Sequence, residues 1–72
     1  MNREEHINWC KQRALELVEL GQLKEALDSI YSDLRKHPET INHPGVIQGY
    51  ILQRAGMLET EKTIRAFIEQ IL

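Results

Sequence analysis

The chain has a single cysteine, two prolines and no apolar run long enough to cross a bilayer. Each shortage removes a class of protein. Cys10 alone makes no internal disulfide, and without a CxxC pair there is no zinc clamp. The opening Met1-Asn2-Arg3-Glu4-Glu5 lacks the apolar stretch of a signal peptide, so a cytoplasmic, reducing location is expected, with no membrane partner. A basic excess is missing too. Residues 1–38 carry six Lys/Arg against seven Asp/Glu, and residues 39–72 three against four, for a net charge of −2. Phosphate binding draws on a cation surplus that neither half has. There is no strand pattern of useful length and no low-complexity segment.

What is present is a glycine hinge that occurs twice. Gly21-Gln22-Leu23 and Gly56-Met57-Leu58 lie 35 residues apart, each between apolar-periodic runs. Glycine accepts the left-handed backbone that ends a helix, so each hinge reads as a helix C-cap with a second helix behind it. The expected fold is all-α, a single domain over residues 1–72 with four helices arranged as two αα-hairpins. Seventy-two residues give a small core, for which oligomerisation is an ordinary remedy.

The helices are expected near residues 3–20, 23–36, 44–55 and 60–71. Asn2 caps the first, with Glu5 at capping-box spacing, and Ile7, Cys10, Ala14, Leu17 and Val18 form its apolar stripe. Trp9 and Leu20 lie off that stripe, with Arg13 between them. The second helix has the cleanest stripe, Leu23, Ala26, Leu27, Ile30, Tyr31 and Leu34, and stops before Pro38. Pro44 suits the first turn of the third. Val46, Ile47, Tyr50, Ile51, Leu52 and Ala55 make that helix apolar around most of its circumference, so it is expected to be the most buried. Gly49 within it implies a close crossing with another helix. Thr60 caps the fourth, whose stripe is Ile64, Phe67, Ile68, Ile71 and Leu72.

Counted from Gly21, the first hairpin resembles a tetratricopeptide repeat. Gly21, Leu23, Glu25, Ala26 and Pro38 fall on the turn glycine, large apolar residue, acid, alanine and closing proline of that roughly 34-residue consensus, and Ala14 and Leu17 fit its first helix. Cys10, Arg13 and Asp33 replace its tryptophan, leucine and small alanine. The second hairpin keeps Gly56 and Leu58, but its stripe resumes late. The segments "NREEHINWCKQRAL" and "SDLRKHPET" also resemble short proteins of tailed bacteriophages, a likeness that implies a context and no mechanism.

Reaction chemistry has little support. His6, Cys10, His37 and His43 can be drawn as a Cys-His₃ zinc site, but their spacing matches no zinc pattern, and no metal or other cofactor is expected. No nucleophile motif or glycine-rich phosphate loop occurs, so no enzyme is expected. Residues 50–70 read loosely as helix-turn-helix, the alternative function being a DNA-binding regulator. Its reader helix would set Glu59, Glu61 and Glu69 against Lys62 and Arg65, a poor balance for phosphate. The expected function is therefore non-catalytic binding of a protein partner, with dimerisation and without nucleic acid. Trp9, Arg13, Leu20, Phe67 and Leu72 are the candidate contact residues. For Trp9 the competing expectation is cover, by the third helix or a dimer mate.

Overall fold

Both glycine hinges close by the same hydrogen bonds. At the first, Gly21 N–H donates to the Val18 carbonyl (3.0 Å) and Gln22 N–H to that of Leu17 (2.9 Å), with Gly21 at φ +77°. At the second, Gly56 donates to Gln53 (3.1 Å) and Met57 to Leu52 (2.9 Å), with Gly56 at φ +74°. These paired bonds satisfy carbonyls that a helix end leaves open, and the left-handed residue between them is glycine each time. The computed structural model describes residues 2–71, with side chains over 2–70.

Four helices follow: α1 (Arg3–Glu19), α2 (Leu23–Leu34), α3 (Pro44–Arg54) and α4 (Glu61–Ile71). The all-α class and the four-helix order match the expectation. Asn2 Oδ1 accepts from Glu5 N–H (2.8 Å) while Glu5 returns its carboxylate to the Asn2 amide (3.1 Å). At the start of α4, the backbone N–H of Thr60 donates to the Thr63 hydroxyl oxygen (3.2 Å) and that of Thr63 to the Thr60 hydroxyl oxygen (3.1 Å). Buried Thr40 donates its hydroxyl to the Leu34 carbonyl (2.6 Å), so the loop folds back to close α2.

The two hairpins are unequal. α1 and α2 share the most extensive interface, and α4 lies across both of them. The core joins Ile7, Cys10, Ala14 and Val18 of α1 to Ala26, Leu27, Ile30 and Leu34 of α2 and to Ile64, Phe67 and Ile68 of α4. Leu58, in the turn after Gly56, is buried with them.

The third helix is not the most buried. Ile47 is 63% exposed and Ile51 57%, and Tyr50 is also exposed. What α3 turns inward is small: Gly45, Val46 and Gly49. Gly49 sits so close to α2 and α4 that an added Cβ would lie 2.8 Å from the Tyr31 ring and 2.9 Å from Phe67 Cζ. The expected close crossing is there, and it explains the inversion. A helix that seats its glycine face against its neighbours carries its isoleucines on the opposite side.

Candidate functional site

Trp9 is covered from within its own hairpin. His6 stacks on the indole at 5.5 Å between ring centroids, and the Arg13 guanidinium lies 4.7 Å from the ring centre. Lys36, beyond the end of α2, places its Nζ 5.6 Å from the same ring. Cations over an indole face are attracted by its quadrupole. The cover expected from α3 or a dimer mate is thus supplied by α1 and the α2 terminus. The two helices that carry it are the pair with the broadest contact, so the cover forms as the hairpin closes.

The same Arg13 and Lys36 belong to an ion-pair cluster centred on Asp33. Asp33 is buried, 1% exposed, and its carboxylate accepts from Arg13 Nε (2.8 Å), Lys36 Nζ (3.0 Å) and Ser29 Oγ (3.1 Å). Burial pushes the Asp33 pKa up, but the hydrogen bonds from Lys36, Arg13 and Ser29 outweigh it and hold it below the ordinary value. His6 donates from Nε2 to the Asp33 carbonyl (2.7 Å), since a carbonyl oxygen only accepts. Arg13 and Trp9 therefore do stand together, as a clasp between α1 and α2. The sequence signal for Asp33 was its place on a small-residue position of the repeat consensus.

The other candidates do not join them. Leu20 is 71% exposed at the end of α1, roughly 16 Å along the axis from Trp9. Phe67 is 3% exposed within the core, where α4 meets α2 and Gly49, so it is corrected from contact residue to core residue. Ile64 and Ile68 are buried with it, so the described part of the α4 stripe is not a free surface. Leu72 lies outside the described residues.

Cys10 and His43, from which a zinc site can be drawn on paper, have other engagements. Cys10 is fully buried, and burial together with the nearby Asp33 charge pushes its pKa up to about 11. His43 caps α3: its Nδ1 accepts from Gly45 N–H at 2.8 Å. Among the described residues, no group of three or more His, Cys, Asp or Glu is placed to hold a metal.

Among the described residues, Leu20 and Ile41 are exposed singly, whereas the aligned exposed apolar side chains lie on α3. Ile47 and Ile51 are one turn apart on its outer side, in line with Ala55. On one flank, Tyr50 and Gln53 face α2 across an open cleft of about 440 Å³ shared with Asp28, Tyr31, Ser32 and Arg35. Tyr31 donates its hydroxyl to Gln53 (3.0 Å), and the Arg35 guanidinium donates to the Tyr50 hydroxyl. Burial, with Tyr50 and Asp28 nearby, pushes the Tyr31 pKa up to about 12. On the other flank, Leu52 and Met57 open a groove of about 230 Å³ towards Phe67 and Ala66 of α4. Sequence reasoning missed this face because an apolar circumference does not say which side has neighbours.

No known protein family, no curated protein and no solved structure matches the chain. No helix among the described residues is long and apolar enough to cross a membrane.

Proposed function

We infer that this protein is a small non-catalytic interaction module that docks another protein on the outer face of α3. The observation that carries the inference is the inversion of α3, with Gly49 and Val46 inside and Ile47 and Ile51 in water. Isolated exposed apolar residues are ordinary, whereas aligned isoleucines beside an apolar groove are the pattern of a helix-binding surface. With the sequence likeness to phage proteins as context, we take the partner to be a host or viral protein and the role to be accessory.

Charge supports a protein partner over DNA. The exposed side of α4 carries Glu61 and Glu69, and Arg65 is tied to Glu61 at 3.2 Å. That leaves Lys62 as a thin source of phosphate attraction on the would-be reader helix.

Photo-crosslinking from position 51 in cells identifies the partner, and titration of the purified pair tests the site. The Ile47→Asp/Ile51→Asp variant should keep its melting curve and lose at least about 2 kcal/mol of binding. Binding that survives the variant, or salt-resistant DNA binding by the wild type, overturns the reading.

A further inference from the structure

We propose that the occupant of the α3 face is an amphipathic helix flanked by carboxylates. The proposal rests on the docking role of α3 and adds the chemistry of the partner.

Two acids lie near the strip, Asp28 in the Tyr50–Gln53 cleft and Glu59 with its carboxylate beside Gly56, but the α3 side chains that border the Ile47–Ile51 line itself are basic or uncharged. α3 contains no acidic residue, and Arg54 borders the Ile47–Ile51 line. Arg35 reaches the same flank from α2 through its bond to Tyr50. Among the described residues, Arg13, Lys36 and Arg65 have carboxylate partners, whereas Arg35 and Arg54 have none within ion-pair distance. The nearest acid lining that cleft is Asp28, two turns back along α2, roughly 10 Å from Arg35 along the axis. On the opposite flank, the groove under Leu52 and Met57 is lined by no charged residue, its polar groups being Thr63 and Gln70. A helix laid on Ile47 and Ile51 would set one apolar side chain into that groove and its flanking carboxylates beside Arg54 and Arg35. Arginine pairs with carboxylate through two parallel hydrogen bonds, which orients a partner as well as attracting it.

A second copy fits less well. α3 is an 11-residue helix, roughly 16 Å long, and a strip about 10 Å wide covers far less than the ~800 Å² per partner of a stable dimer. An antiparallel two-fold pairing would also set the Arg54 edge against its own copy.

The test uses two synthetic helical peptides with the same leucine face, one flanked by Glu and one by Lys, titrated against the full chain by fluorescence anisotropy. The Glu-flanked peptide should bind about tenfold more tightly. Arg35→Glu/Arg54→Glu should reverse that order, and Ile51→Asp should abolish both interactions. Equal binding of the two peptides, lost in Ile51→Asp, overturns the acidic partner while leaving the docking face intact. No binding, or binding indifferent to Ile51→Asp, overturns both. Sedimentation showing self-association that Ile51→Asp abolishes would make the occupant a second copy and overturn the proposal.

Discussion

Replacing Gly49 with alanine should destabilise the protein, although the same change stabilises most helices. In an open helix interior the gain is about 1 kcal/mol, because glycine loses more backbone freedom on folding. Here the new Cβ would meet Tyr31 Cε1 and Oη at 2.8 Å and Phe67 Cζ at 2.9 Å. Relief requires both rings to retreat by about half an ångström, and neither is free to do so. Tyr31 is held by its bond to Gln53 and packs on Tyr50 at 4.5 Å between centroids, while Phe67 is in the core. Overpacking of this kind costs about 1–3 kcal/mol, and loosening the Tyr31 hydrogen bond adds about 1. After the propensity gain, a net loss of about 1–3 kcal/mol remains. Urea denaturation of Gly49→Ala beside Gln48→Ala, an exposed control one residue away, measures it. A Gly49→Ala chain as stable as wild type or more so would refute the seating of α3 on its glycine face.

The remaining predictions concern charge. Asp33→Ala should cost about 2–3 kcal/mol at neutral pH, less than a sealed ion pair because Arg13 and Lys36 are each about half exposed and regain water. A double-mutant cycle with Arg13→Ala that shows no coupling would contradict the clasp. Because the folded pKa of Asp33 lies below its ordinary 3.8, its contribution is fully present above that pH. It is lost as pH falls through the folded value, so the cost of the mutation should shrink in acid. His43 follows the same sign in a higher pH window. Burial, then the Arg3 and Lys11 charges, lower its pKa from 6.5, and the neutral ring is the α3 cap. Its contribution is therefore whole above pH 6.5 and declines as pH falls from there towards the folded value. His43→Asn, which caps without titrating, should flatten that part of the urea stability profile between pH 7.5 and 5.5. An unchanged slope would count against the cap.

The helix count, both hinges and the caps at Asn2 and Thr60 were legible because they depend on neighbours in sequence: a glycine after an apolar run, an amide three residues before an acid. The burial of α3 was not. Its composition predicts a central helix, but the side it buries is set by Gly49 meeting Tyr31 and Phe67, residues 18 positions away on either side. The Trp9 environment was half legible. Arg13 follows it by one turn of helix, which sequence shows, whereas Lys36 and buried Asp33 arrive only when α2 folds back on α1. Phe67 misled because a stripe at the end of a short chain looks unpartnered until α4 is laid across the first hairpin.

The central claim, that the Ile51 side of α3 faces water and is free to dock, is tested most directly by thiol labelling of Ile51→Cys. The chain supplies its own silent background. Cys10 is fully buried with its pKa pushed up to about 11, so the wild type should not react while folded. The introduced thiol at position 51 should label in the native protein at nearly the rate of an unfolded control, at low micromolar concentration and without loss of helix signal. Protection at position 51 comparable to that of Cys10, unrelieved by dilution, would mean that α3 is covered by its own fold and would contradict the account.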